Sequence, residues 1–469
     1  MRALTMICVL AAALLGCSTS EGGTSTGGDS GTTDAAVSDG TSSDTGESDD
    51  TSTITADSAT GDATTPVEDT PTAEDTLPIE DTAPVEDTAP VEDTAPVEDT
   101  TPVEDTAPVE DTTPVEDTTP VEDIGPPPVT SEAWFHAFGA GGHERINGVA
   151  ADGAGNVYIA GTHTEAVTIG TETFEATEPG ADLKDSFVAS FDPMGGFRWA
   201  HGLGGSNSDS PYEIAVDGAG NVIVVGSFMG TLQVGDTLLE TEGSTDLYAV
   251  SYDGEGNQLW TKRWGGIYGQ TPRGVSVNVG GDIFITGSFS GQIEADGLVA
   301  TNDPTETDYS LEEVFVLAID GQTHEALWVR SFTGSYNDVG TAVIANQTRH
   351  AVVAVSYQHS LTIDEESGWV WDTGSDDFDV ALVRLDEQGN LLWAQNHGGP
   401  GNEEIIGLGM DPLGRTYIAG LFSDTASFGG QQLVGSDGYE LLLAGYEEDG
   451  THLWSVGYLG AGHDLAMDL

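Results

Sequence analysis

Six tryptophans constrain the fold of this chain more than any other feature. Trp134, Trp199, Trp260, Trp328, Trp393 and Trp454 are spaced by 65, 61, 68, 65 and 61 residues. Self-similarity at a fixed period marks a repeat architecture, in which each unit buries its apolar faces only against its neighbours. A glycine-rich step follows each tryptophan: "GAGG" at 139–142, "LGG" at 203–205, "WGG" at 264–266, "FTG" at 332–334, "HGG" at 397–399 and "LGAG" at 459–462. Next come a short apolar–polar run, a turn and a β-rich run such as "NVYIAGT", "NVIVVGS", "DIFITGS", "HAVVAVS" or "RTYIAGL". A variable hairpin leads to a third run ("DSFVASFD", "DLYAVSYD", "EVFVLAID", "DVALVRLD", "ELLLAGYE"), and the unit closes on "FRW", "QLW", "ALW", "LLW" or "HLW". Alternation rich in β-branched and aromatic residues predicts strands, and no segment of the region has a helical period. Four strands per repeated unit predict an all-β fold, a β-propeller of five complete four-stranded blades. A sixth unit is partial and ends at "GHDLAMDL". Two closures follow: five blades with overlapping terminal strands, or a ring left incomplete at that sixth unit.

The boxes "DGAGN" at 152–156 and 217–221, "DGEGN" at 253–257 and "DEQGN" at 386–390, with the looser "DPMGG" and "DPLGR", have the composition of a metal or phosphate loop. They recur at two unlike places in the unit, between the first and second strands and between the third and fourth. A ligand loop would sit at one place, whereas a hairpin solution is reused wherever a hairpin occurs. Asp caps the turn and Gly takes positive φ to rejoin the strands. The distant bidentate Glu that an EF-hand needs is missing.

These units, with their order of turn box, strand, "D.fva" strand and closing "lW", resemble the bacterial β-propeller repeat proteins of the SBBP type over residues 134–469. The resemblance implies the propeller fold. The fourth unit departs most, with "NQTRHAVVAVS" lacking the turn Asp and the strand-end Gly.

Residues 1–16 read as a signal peptide: Arg2 precedes an apolar run, Ala3 to Leu15, too short for a spanning helix. "LLGC" resembles the lipobox of bacterial lipoproteins, which implies cleavage before Cys17, its acylation, and, with Ser18 following, sorting to the outer membrane. The only other cysteine, Cys8, lies inside the signal, so the mature chain has no disulfide partner. Residues 17–133 form an acidic linker without Lys or Arg, carrying a Glu-Asp pair every six residues from Glu68–Asp69 to Glu122–Asp123. Such a segment cannot bury enough apolar area to offset its ordering entropy. Proline and self-repelling carboxylates extend it, up to roughly 350 Å at ~3.1 Å per residue. It predicts a stalk; its acids would attract calcium only diffusely. The net charge of −69, from 80 acidic and 11 basic residues, argues against nucleic acid and against anionic lipid surfaces as partners.

The candidate site residues are the polar groups that follow each glycine step, on connections expected to border the central channel: His143, Glu144, Arg145, Asp209, Arg273, Asp338, Glu403, Glu404 and Asp464. Trp369 and Trp371 in "GWVWD" form a possible exposed aromatic platform for a glycan or protein. The repeat region holds no H-E-x-x-H, G-x-S-x-G, Walker-type loop or helix-opening G-x-G-x-x-G, and no catalytic residue, metal ligand set or cofactor motif stands out. The expectation is therefore a surface-anchored binding or scaffold module with an unknown protein or glycan ligand. Two alternatives remain, an extracellular lyase or glycosidase with a channel-lining site, and a truncated propeller without function.

Overall fold

The computed structural model describes residues 133–139, 141–177, 183–302, 311–364, 368–373 and 376–458. The signal peptide, Cys17 and the acidic linker up to residue 132 lie outside them. All regular structure in the described part is β. The first blade comprises β1 (Glu144–Ala151), β2 (Val157–His163), a small outer hairpin of β3 (Val167–Ile169) and β4 (Glu172–Phe174), then β5 (Asp185–Phe191) and β6 (Phe197–Gly205). The second has β7 (Asp209–Val216), β8 (Val222–Val234), β9 (Thr237–Tyr252) and β10 (Gln258–Trp264), its outer hairpin being the far ends of β8 and β9. The third has β11 (Gln270–Val277), β12 (Ile283–Phe289), the hairpin β13 (Gln292–Ala295) and β14 (Leu298–Thr301), β15 (Glu313–Ile319) and β16 (Ala326–Gly334). The fourth has β17 (Val339–Ala345), β18 (Ala351–Gln358), the hairpin β19 (Ser360–Asp364) and β20 (Trp369–Asp372), β21 (Phe378–Leu385) and β22 (Leu391–His397). The fifth has β23 (Glu403–Met410), β24 (Thr416–Ala426), β25 (Leu433–Tyr446) and β26 (His452–Tyr458). Each blade is an antiparallel meander of four strands, and the five repeat units of the sequence are its five blades.

The turn boxes do what a hairpin corner requires. Asp217 Oδ1 accepts from the backbone N–H of Ala219 and Asn221, both at 2.8 Å, and Oδ2 from Asn221 Nδ2 at 2.7 Å. Gly220 closes the turn at φ +84°. Asp152, Asp253 and Asp386 repeat the pattern. In the divergent fourth unit Asn346 takes the aspartate's place, and Arg349 stands in the left-handed conformation at φ 65°. The strain is offset across the blade junction, where the Arg349 guanidinium grips Asp282 at 2.7 and 2.9 Å.

The first strands pack side by side in the order β1, β7, β11, β17, β23, forming the inner ring. The second and third strands of each blade are covered on both faces, which is why they are near-continuous apolar runs; β5, β12 and β15 are buried throughout. The core is therefore divided into layers between blades. One layer joins Tyr158, Val188 and Trp199 to Val224, Phe228 and Tyr248, and another joins Phe284, Val316 and Trp328 to Val353, Val355 and Val383.

Two motifs recur at the junctions. The repeat tryptophan donates its indole N–H to the turn of the next blade: Trp199 to Gly254 O at 3.0 Å, Trp328 to Glu387 O at 3.1 Å, and Trp393 to Glu448 O at 3.0 Å. Its ring lies against the turn glycine, where a Cβ on Gly256 would stand 2.7 Å from the Trp199 ring. The glycine step then runs beside the outer hairpin of the next blade. Gly205 pairs with Leu232, and a Cβ there would meet Thr231 O at 1.5 Å. No side chain fits there.

Before blade 1 the same slot is filled from the N-terminal side. Trp134 Nε1 donates to Pro193 O at 3.2 Å, and His136 Nε2 meets Gly195 O at 2.7 Å, as His201 Nε2 meets Gly256 O at 2.7 Å one blade later. Trp134 and Phe138 cover the outer layer of blade 1. No packing comparable to that between neighbouring inner strands joins β23 to β1 among the described residues. Five-blade closure, weighed from the sequence, would need Trp454 at the place on blade 1 that Trp134 holds.

Candidate functional site

The polar residues expected on channel-side loops instead head the innermost strands. Glu144, Asp209, Gln270 and Glu403 are the first residues of β1, β7, β11 and β23, and Asp338 immediately precedes β17. Asp209, Asp338 and Glu403 are buried. The backbone explains the placement: the N–H of Asp209 donates to Lys184 O at 2.7 Å and that of Asp338 to Glu312 O at 2.8 Å, so each strand starts on the third-strand entry of the preceding blade.

There each acid meets a second acid. Asp209 faces Asp185, Asp338 faces Glu313 and Glu403 faces Asp379, at the junctions between blades 1 and 2, 3 and 4, and 4 and 5. Burial, with the carboxylate across the junction adding to it, pushes Asp209 up to about 8, and Asp338 and Glu403 up to about 9. Two ionised carboxylates cannot share so dry a place, so each pair holds one proton at neutral pH. In the first pair the donors gather on Asp185, which accepts from Thr177 N at 2.6 Å and Thr177 Oγ1 at 2.9 Å. The remaining junction, between blades 2 and 3, follows the same logic with different chemistry. Gln270 stands opposite Asp246, its Oε1 accepting from Gly266 N at 3.1 Å, as Glu403 Oε2 accepts from Gly399 N at 3.1 Å. An amide is the permanent form of a protonated carboxyl. The glycine step serves these pairs as well: a Cβ on Gly398 would stand 1.8 Å from Asp379 Oδ1 and 3.0 Å from Glu403 Oε2. These three acids of the predicted set are therefore parts of the blade junctions, not solvated loop residues.

What the inner strands present is set by a shared irregularity. All five carry a β-bulge at the same place, between Ile146 and Gly148, Pro211 and Glu213, Pro272 and Gly274, Gly340 and Ala342, and Ile405 and Gly407. A bulge leaves one residue out of the ladder and re-aims its side chain; here those residues are Asn147, Tyr212, Arg273, Thr341 and Ile406. Arg273 and Tyr212, on adjacent blades, stack with the guanidinium 5.3 Å from the ring centroid. Arg273, Thr341 and Ile406 line one cleft of about 450 Å³ across blades 3, 4 and 5, together with Ser356, Glu404 and Tyr439. Arg273 is exposed and has no ion-pair partner among the described residues, whereas Lys262, Arg263, Arg349, Arg384 and Arg415 are all paired.

Of the predicted set, the structure thus brings Arg273, Glu403 and Glu404 together. His143 and Arg145 are exposed at the first blade, with the His143 backbone N–H held by Thr164 Oγ1 at 2.9 Å, and Glu144 is half-buried. Asp464 and Cys17 lie outside the described residues. Trp369 and Trp371 are not a free platform: both are half-buried, packed on the core layer between blades 3 and 4, and set edge to face at 6.0 Å. Sequence reasoning missed Tyr212, Thr341 and Ile406. Their signal was variability, since the position three past each strand-heading residue reads Asn, Tyr, Arg, Thr, Ile while its surroundings repeat. Among the described residues no group of three or more His, Cys, Asp or Glu side chains is arranged to hold a metal ion.

No protein-family model matches the chain. It is similar to the regulatory protein FlaEY of Caulobacter vibrioides, 26% identical over 196 residues that cover 41% of this chain. The chain spans about a fifth of that protein's length, 20%. Among solved structures it is similar to the Neurospora crassa Pan2 WD40 domain, at 11% identity and a TM-score of 0.35, covering 68% of each chain. Sqt1 from Chaetomium thermophilum matches at 12% identity and a TM-score of 0.30, over 68% of this chain and 73% of that one.

Proposed function

We propose that this chain is a lipid-anchored surface protein whose propeller is a non-catalytic binding module, taking a protein or glycan ligand at the cleft beside Arg273. The observation that carries this reading is the shared bulge of the inner strands. It turns five unlike side chains out of five otherwise similar units, and one of them, Arg273, is an exposed arginine in a strongly acidic protein. Recognition clefts of this kind combine apolar wall, here Ile406, with a few placed polar groups, here Arg273, Thr341, Ser356 and Tyr439. Arg273 favours a ligand carrying a carboxylate or a sugar ring with acidic substituents, because a guanidinium offers a planar fork to such groups. Glu404, exposed at the cleft rim, would discriminate against ligands with a negative charge on that side.

The anchoring half of the proposal rests on sequence: the lipobox-like "LLGC", Ser18, the acidic stalk and the resemblance to SBBP-type repeat proteins. Acylation at Cys17 would hold the chain to the outer membrane, with the stalk setting the propeller away from it. The test of the cleft is an array of acidic and neutral glycans and peptides probed with the full chain and with Arg273→Ala. A ligand retained by the wild type and lost by R273A, at unchanged melting temperature, supports the reading. Ligands bound equally by both proteins would place recognition elsewhere.

A further inference from the structure

The junction chemistry that joins the blades is present three times in matched form, once in a varied form and once without its counterpart. In blades 1, 3 and 4 the fourth-strand tryptophan donates to the carbonyl that follows the turn acid of the next blade, and the residue two further on reaches the turn glycine. Arg330 Nε donates to Gly389 O at 2.9 Å and Gln395 Nε2 to Gly450 O at 2.5 Å. Blade 2 varies the theme, with Trp260 stacked on His324 at 4.9 Å and Lys262 paired to Asp296 at 3.1 Å. On β26 the tryptophan is present and, among the described residues, no turn receives it. Among the described residues Trp454 donates to no carbonyl; it is 43% exposed, with Val456 at 37% and Tyr458 at 53% beside it. By contrast Trp199 and Trp328 are 8% and 5% exposed.

The other half of the same junction stands at the opposite end of the domain. Residues 134–138 occupy a fourth-strand slot on blade 1, with the bonds of a fourth strand, yet have no ladder partner among the described residues. A fourth strand without its third and a tryptophan face without its turn are complementary deficits. Exposed apolar area and an open strand edge are both features that folded chains keep covered.

We propose that β26 and residues 134–138 form an interaction surface for one further β-meander of this repeat type. Its third strand pairs with the 134–138 edge, and its Asp-x-x-Gly turn receives the Trp454 indole. The chemistry of the occupant follows from the turns that receive Trp134, Trp199, Trp328 and Trp393. It needs an acid to cap the turn, because the capped turn presents the next carbonyl outward, and a glycine at positive φ, because a Cβ there would strike the tryptophan ring. A second copy of this chain is a poor occupant: of its turns between third and fourth strands, the kind that receives a repeat tryptophan, those at Asp192, Asp253, Asp386 and Glu447 are already covered by Trp134, Trp199, Trp328 and Trp393.

The test uses the full chain and a backbone-cyclised hairpin peptide with the sequence of residues 246–260, "DLYAVSYDGEGNQLW", labelled for fluorescence polarisation and checked by NMR to hold its turn. Saturable binding is expected, weakened at least tenfold by Trp454→Ala in the protein or Gly256→Ala in the peptide, and unchanged by the exposed substitution Val279→Ala on blade 3. A second arm appends a copy of residues 217–257 after Leu469. The extended chain should melt several degrees higher, and W454A should remove the gain. Binding indifferent to W454A, or no gain from the appended strands, overturns the proposal. Concentration-dependent dimers abolished by W454A would overturn it in favour of a second copy.

Discussion

Glu403→Gln provides the sharpest test of the buried carboxyl pairs. It installs at the junction of blades 4 and 5 the amide that the junction of blades 2 and 3 already carries as Gln270. In the folded protein Glu403 keeps its proton up to about pH 9, raised from an ordinary 4.5 by burial and by Asp379, with Asp377 adding to the same effect. In the unfolded chain it loses the proton near the ordinary value. Between those pH values the folded state binds more protons than the unfolded one, so stability falls as pH rises, by about 1.4 kcal/mol per pH unit for one group. From pH 4.5 to pH 8 that is on the order of 5 kcal/mol. The amide introduced by E403Q has no proton to lose in this range, so the variant escapes that decline. Its oxygen can accept from Gly399 N as Gln270 Oε1 does from Gly266 N, and its nitrogen can reach the adjacent hairpin as Gln270 Nε2 reaches Gln292 O at 3.1 Å.

Thermal melts of the full chain, followed by circular dichroism from pH 4.5 to 9, give the readout. At pH 4.5 wild type and E403Q should melt together, because a protonated glutamic acid and glutamine are nearly the same object. At pH 8 E403Q should melt higher by roughly 5 °C, taking ~1–2 °C per kcal/mol for a domain of this size. The wild-type decline with pH should become shallower but not vanish, since Asp209 and Asp338 keep theirs. The reverse change, Gln270→Glu, should be tolerated at pH 4.5 and costly at pH 8. Parallel curves, or a loss in E403Q that is the same at both pH values, would refute the shared-proton account.

Gly398→Ala should destabilise the domain by more than ~3 kcal/mol in urea denaturation, because its Cβ would overlap Asp379 Oδ1 at 1.8 Å in a junction with no room to yield. Arg384→Met removes a guanidinium that is 1% exposed and binds Gly414 O and Glu448 of the next blade; a loss of about 3 kcal/mol is expected, with the melt as the measure. Gly220→Ala, at φ +84° in an open turn with no atom within 4 Å of the new Cβ, should cost only about 1 kcal/mol, all of it backbone strain. Cys17→Ala should move the protein from the membrane fraction to the soluble one and abolish labelling by a radioactive fatty acid; an unchanged fraction would refute the anchor.

The site was legible in the sequence only in part. Arg273, Glu403 and Glu404 were visible as polar residues after a glycine step, and they do meet in one cleft. Yet the same position in the repeat also yielded Asp209 and Asp338, which are buried between blades. Nothing in "GSNSDSPYE" or "GSYNDVGTA" distinguishes a loop acid from one that heads a strand. That depends on a partner about 25 residues earlier, on the third strand of the preceding blade. The bulge was invisible too, being a mismatch of count between two strands, although its residues could be picked out by their variability. Trp369 and Trp371 misled in the other direction: their place in a variable hairpin suggested exposure, whereas the hairpin folds down onto the layer between two blades.

What the sequence determined by itself is the local and periodic part of this protein. The tryptophan spacing, the apolar second and third runs and the Asp-x-x-Gly corners dictate four-stranded units, because strand period and turn capping act over a few residues. The glycine steps were visible as well, but not their reason. Only the tertiary structure decided that each glycine makes room for a neighbour's carboxylate or carbonyl, that acids pair across junctions around a single proton, and that five bulges aim five different side chains out of the ladder. Those features exist only between blades or between paired strands. Residues far apart in the chain must first be brought into contact before burial can hold a proton on Asp209, or a neighbour can give Trp199 a carbonyl to bind.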